Sequence, residues 1–134
     1  MEKIVNRSDC PISYALDLFG DKWSLLVIRD LVFNQKRFYK EFLQSKEKIA
    51  TNILSNRLKR LESAGIIESK VYEKLKTQKE YSLTDKGKDL IPVLVEIILW
   101  SAKHEDGLAV TDKFVQKAKA YRKKVIETIT SNLN

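Results

Sequence analysis

Between Ile49 and Tyr81 the chain switches hydrophobic period. Residues 51–64, TNILSNRLKRLESA, repeat leucine at positions 54, 58 and 61, the spacing that puts one apolar stripe on a helix. Residues 66–83 change to period two. Ile67, Ser69 and Val71 alternate with Ile66, Glu68 and Lys70, and Tyr81 and Leu83 repeat the step, so residues 66–75 and 79–83 predict two strands with Lys76-Thr77-Gln78 as the tip between them. The side of the helix away from the leucines carries Thr51, Asn52, Ser55, Asn56 and Lys59. All are short polar or cationic groups able to hydrogen-bond base edges and phosphates.

The rest of the chain supplies helices around that pair. Pro11 suits the first turn of a helix over residues 12–19, with Asp9 or Cys10 at its cap. Asp21 is placed to cap a helix over 22–33 whose Trp23, Leu26, Val27 and Leu31 form an apolar face. Residues 36–38 read as a short strand or turn, and 39–45 as a third helix with Phe38, Phe42 and Leu43 inward. Thr84 caps a long helix to His104 with Pro92 inside it, predicting a bend or a lost bond near Lys88. Thr111 caps a last helix to Ser131. Gly20, Gly65 and Gly107 follow helical runs, where a left-handed cap is easiest without a Cβ.

This order is mainly α with a small β-hairpin. It predicts a winged helix-turn-helix with additional C-terminal dimerisation helices. A DNA-binding region over 1–84 and a dimerisation segment over 85–134 would share one compact domain, the N-terminal helix also joining the dimer interface. At 134 residues there is no room for two full cores. The net charge of +7 favours polyanionic partners. It is spread as +2 over residues 1–50, +3 over 51–84 and +2 over 85–134, richest on the predicted reading helix and hairpin.

The helix over 85–104 is apolar nearly all round and must be covered on two sides. A homodimer through Leu94, Ile97, Ile98, Trp100, Phe114 and Tyr121 covers it economically, and two-fold symmetry suits inverted half-sites in double-stranded DNA. The competing arrangement is a monomer in which the terminal helix covers the excess. Lys36, Arg37, Lys74, Lys76, Gln78 and Lys79 are the candidate phosphate contacts outside the reading helix. Arg57 and Arg60 lie on other faces and are expected to pair with Glu62 or neighbouring carboxylates.

One cysteine excludes an intramolecular disulfide framework, and one histidine disfavours a metal cluster. No cofactor, metal or catalytic set is expected. His104 reads as a surface residue near a helix C-terminus, and the six basic residues of 113–124 as a solvated face. The start of the chain is polar, and the longest apolar stretch, residues 90–100, is well short of the about 20 residues that span a bilayer. A cytoplasmic protein is expected. Cys10 stands directly before Pro11 at a predicted helix N-terminus, a position that favours the reactive thiolate. It is a candidate redox sensor, against the plainer reading of an inert packing thiol.

Taken together, CPISYALDLFGDKWSLLVIRDL, the RF-x-E-F segment, the helix ending LESAGII, VYEKLKTQKEYSLTDKG and LIPVLVEIILW resemble the HxlR-type regulators, bacterial winged-helix proteins related to the MarR group. The resemblance spans about residues 10–104. It implies a dimeric transcriptional regulator, bacterial and nucleoid-associated when DNA-bound, with the helix ending near Ala64 in the major groove and the hairpin against the backbone or minor groove. Some such regulators sense electrophiles or oxidants through an N-terminal cysteine, so an oxidant or small-molecule effector is implied as well. Two features depart from the pattern. Ala50-Thr51 stands where relatives carry a Ser-Pro cap, so Thr51 is expected to cap or the first turn to fray. The hairpin lacks the prolines common in relatives. A winged-helix module used only for protein association remains the competing class, and RNA binding a third.

Overall fold

The computed structural model describes residues 7–133. The elements run α1 (Pro11–Phe19), α2 (Ser24–Val32), α3 (Tyr39–Phe42), α4 (Thr51–Ser63), β1 (Ile67–Tyr72), β2 (Leu75–Leu83), α5 (Asp85–Lys88), α6 (Ile91–His104), α7 (Asp112–Ala120) and α8 (Arg122–Ser131). They form two compact units, the chain up to Gly87 and the chain from Lys88 onward.

In the first unit, α4 buries Leu54, Leu58 and Leu61 against a core that includes Val27, Ile28, Leu31 and Phe42. Each such leucine contributes about 1.5–3 kcal/mol through the apolar surface it hides. Asp21 organises the start of α2. Its carboxylate accepts from the backbone N–H groups of Trp23 and Ser24 at 2.8 and 3.0 Å and from the Ser24 hydroxyl at 2.6 Å. The helix proper begins at Ser24, later than the cap at Asp21 predicts, because residues 22–23 form a turn first. The third helix is also shorter than expected, ending at Phe42 and giving way to turns. Lys48, left-handed at φ 57°, turns the chain into α4.

β1 and β2 pair antiparallel from Ile67 opposite Leu83 to Val71 opposite Lys79. Beyond that point the register shifts, and Tyr72 faces Leu75. The hairpin therefore turns at Glu73 and Lys74, not at the predicted tip of residues 76–78, which lie within β2. The hairpin is tied to the segment ahead of α3, both along β2 and beside its turn. The Tyr81 N–H donates to the Arg37 carbonyl at 2.8 Å, and Phe38 packs edge-on against Tyr72 with ring centres 4.8 Å apart.

Two predicted long helices are each broken in two. Pro92 is not inside a helix but in the first turn of α6, where its missing N–H costs nothing, and residues 89–90 separate α5 from α6. The last helix breaks at Tyr121, whose backbone at φ −135°, ψ 53° is not helical. Thr111 does cap α7, accepting from the Phe114 N–H at 3.1 Å. Gly65 and Gly107 are left-handed as expected, whereas Gly20 is right-handed at φ −77°. Gly20 is needed for space instead, because a Cβ there would stand 2.5 Å from the Leu16 carbonyl oxygen.

Within the second unit, α6 packs against α7 and α8, and those two against each other. Ala118 is fully buried, and Arg122 reaches Glu96 at 2.7 Å.

Candidate nucleic-acid interface

With the leucines of α4 buried, Thr51, Asn52, Asn56 and Lys59 are left exposed on its outer side. Asn52, Asn56 and Lys59 follow the i, i+4, i+7 spacing of a single helical face. The helix start is fixed by a strut, not by a cap. Ala50 takes the N-cap position without a side-chain bond, and Thr51 is the first helical residue and caps nothing. Tyr39 instead donates its hydroxyl to the Thr51 carbonyl at 3.1 Å, and Ser55 donates to the Tyr39 oxygen at 3.3 Å. Ser55 is thus half-buried with its proton already given away, which leaves it the least free of the five predicted reading residues.

Arg57 sets the orientation of Asn56. Its Nε donates to Asp21 at 2.9 Å, and its Nη1 donates to Asn56 Oδ1 at 2.5 Å. A guanidinium has only donors, so the amide oxygen of Asn56 must face it and the amide N–H₂ is left for other partners. Arg57 pairs with a carboxylate, as the sequence predicts, and of the alternatives it is not Glu62 but Asp21, 36 residues earlier. Glu62 accepts from Ser69 at 2.8 Å, joining α4 to β1, while Arg60 donates to the Asp17 carbonyl at 3.2 Å. Burial alone would push the Asp21 carboxyl up. Hydrogen bonds from Ser24, Arg57 and two backbone N–H groups overcome that and hold it at about 2.

Two predicted phosphate contacts are already engaged. Lys36 lies 3.6 Å from Asp30, a carboxylate only 2% exposed that also accepts from Arg29 and from Asn34 at 2.7 Å. Arg37 bonds Glu80 at 2.6 Å with its guanidinium 5.0 Å above the Phe38 ring, holding the hairpin base. Lys74 at the turn and Lys76 and Lys79 on β2 are exposed, and Gln78 is half-buried. The sequence reading missed Tyr39, Arg57 with Asp21, and Glu80. Nothing local marks them, because each acts through a partner at least 12 residues away.

Cys10 is exposed at the N-cap of α1, and its N–H donates to the Ser8 hydroxyl at 3.2 Å. On the same helix Ile12 is 70% and Leu16 52% exposed. Of the residues expected at a dimer interface, Trp100 and Tyr121 are each 67% exposed and Ile97 is exposed, while Ile98 and Phe114 are half-covered. Leu94 is buried within a single copy and so cannot contribute to an exposed contact strip. No cluster of His, Cys, Asp or Glu among the described residues could hold a metal ion, and no helix among them is long and apolar enough to cross a membrane.

An exposed polar α4 followed by a basic hairpin is the winged helix-turn-helix arrangement, and comparison with known proteins decides which group it falls in. The model of the HxlR-like helix-turn-helix family matches residues 18–108. The chain belongs to the HxlR-like family. An HTH-type transcriptional regulator of Halalkalibacterium halodurans is 36% identical over 105 residues, covering 78% of this chain and 93% of that protein. YdeP of Bacillus subtilis, also an HTH-type transcriptional regulator, is 35% identical over 99 residues, 74% of this chain and 77% of its own length. Among solved structures, the redox regulator HypR in its oxidised form aligns with a TM-score of 0.63 at 30% identity, over 73% of this chain and 100% of that one. The transcriptional regulator YodB of B. subtilis in its reduced form aligns with a TM-score of 0.58 at 31% identity, over 74% and 97%. The chain is therefore an HxlR-type transcriptional regulator with a winged helix-turn-helix and further C-terminal helices. The family match stops at residue 108, so α7 and α8 lie outside it.

Proposed function

We propose that this regulator is a homodimer that binds a pseudo-palindromic operator in double-stranded DNA, its two α4 helices entering major grooves about 34–36 Å apart. The observation that carries the reading is the outer side of α4, where Thr51, Asn52, Asn56 and Lys59 stand exposed while Leu54, Leu58 and Leu61 face the core. Asn52 and Asn56 read base edges, Thr51 and Ser55 meet bases or phosphate, and Lys59 meets phosphate. The Arg57 bond turns Asn56 into a donor. It suits an acceptor in the groove, such as guanine N7 or O6 or thymine O4, better than the paired donor and acceptor of adenine. Lys74, Lys76, Gln78 and Lys79 bring the hairpin to the backbone. Lys36 and Arg37 contribute through the local field, since each already holds a carboxylate. The exposed apolar residues of α1, with Ile97, Ile98 and Trp100 of α6, serve dimerisation; Phe114 and Tyr121, which line a groove between α7 and α8, are left out of that contact.

Cys10 is the proposed signal input, within a bacterial cytoplasm. The likeness to HypR and YodB, structures of which include oxidised, reduced and quinone-bound forms, supports thiol control. With one cysteine per chain, two Cys10 thiols, or one Cys10 thiol and a small-molecule thiol, give up two protons and two electrons to an oxidant such as a peroxide, which is reduced to water or alcohol, and join as an intersubunit or a mixed disulfide. Fluorescence anisotropy on DNA upstream of the regulator's own gene, against scrambled duplex, tests the central reading. Asn56→Ala weakens cognate binding by ~1–3 kcal/mol and relaxes sequence preference. Equal binding to operator and scrambled DNA by the parent protein refutes sequence-specific recognition and leaves a protein-association module.

A further inference from the structure

The chain leaves helical geometry at Tyr121, and α7 and α8, on either side of that break, together line a groove of about 480 Å³. Phe114, Val125 and Ile129 form its apolar floor, while Lys117, Lys124 and Tyr121 stand at its mouth. Among the described residues neither lysine has an ion-pair partner, and no acidic side chain lines the groove. Arg122, outside the lining, is paired with Glu96 at 2.7 Å, and the charged side chains that line the groove are the two lysines. The volume is that of a site for a small organic molecule, and such sites pair an apolar lining with a few polar groups.

We propose that this groove binds a small amphipathic organic anion, its hydrocarbon body on the Phe114–Val125–Ile129 floor and its carboxylate between Lys117 and Lys124. The charge pattern selects this occupant over a second copy of the chain. A two-fold contact centred on the groove would bring the lysine-bearing mouth against its own image with no acid in the lining to offset it. The site lies outside residues 18–108 matched to the family and uses none of the residues assigned to DNA or to thiol chemistry.

The test is calorimetric titration of the intact protein with dodecanoate and, as a charge control, dodecyltrimethylammonium. Dodecanoate binds saturably with one site per chain, and the cation does not. Lys117→Glu with Lys124→Glu weakens dodecanoate by about ten-fold or more, because charge-assisted bonds become repulsion. Val125→Trp, which fills the floor and leaves the charges in place, weakens it comparably. Absence of dodecanoate binding, equal binding of anion and cation, or parental affinity in both variants overturns the proposal. So does a drop from dimer to monomer in Val125→Trp by light scattering, which would assign the groove to a second copy.

Discussion

Replacing Asp21 with asparagine separates the charge of this residue from its shape. The substituted amide still offers an oxygen to the N–H groups of Trp23 and Ser24, so the turn into α2 survives; what is lost is the ionic part of the contacts with Arg57 and the Ser24 hydroxyl. The folded state holds the Asp21 carboxyl at about 2, against an ordinary value of 3.8. Each unit corresponds to about 1.36 kcal/mol, which sets a ceiling near ~2.5 kcal/mol. The side chain is 27% exposed, and solvent screening lowers the expected effect to about 1–2 kcal/mol, or a melting point lower by roughly 3–8 °C. Because the folded value is depressed, the stabilisation is complete above the unfolded value and is lost as pH falls through about 2. Urea denaturation followed by circular dichroism and by the fluorescence of Trp23 and Trp100 together, at a series of pH values, is the assay. The parent should exceed Asp21→Asn by a constant margin from neutral pH down to about 5, and the margin should shrink between about 4 and 2. A margin that does not change with pH, or none at neutral pH, refutes the claim that an ionised Asp21 anchors Arg57.

Three further outcomes follow from geometry already described. Gly87→Ala should destabilise by about 2–3 kcal/mol in urea denaturation despite alanine's higher helix propensity, since its Cβ would lie 2.1 Å from the Ile66 carbonyl oxygen and 2.9 Å from Leu83 Cδ2. Lys76→Ala should weaken binding to any duplex alike and flatten the slope of log affinity against log salt by about 0.9; an unchanged slope would take the hairpin off the DNA. Cys10→Ser should leave operator affinity under reducing conditions unaltered and abolish any change caused by peroxide, and a peroxide response that persists in the variant would exclude thiol control.

Much of the architecture could be read from local pattern. The i, i+4, i+7 leucines located α4 to within a residue of its end, and the Thr111 cap and Gly65 turn were visible because each is chemistry between near neighbours. The breaks were not. Tyr121 carries no glycine or proline signal, and Pro92 reads equally well as a kink within a helix or as the first turn of a new one. The hairpin turn was misplaced because Glu73-Lys74 lacks the Gly or Asn that usually marks one, whereas the Lys-Thr-Gln run looked more polar. At the candidate site, exposure of Asn52, Asn56 and Lys59 followed from the helix face alone. The engagement of Lys36 by Asp30 and Arg37 by Glu80 did not, because the second pair is 43 residues apart and exists only once the chain is folded.

The register shift past Val71 and Lys79 has a consequence for how such a regulator can diversify. Below it, the ladder is pinned at both margins, by Leu83 opposite Ile67 and by Tyr81 bonded to Arg37. Above it, the pairing has already slipped, so residues there can be inserted or removed without turning a single core side chain outward. Arm length is in this way uncoupled from scaffold integrity, and in the proposed DNA-bound arrangement a longer or shorter arm would change only how far it extends along the duplex.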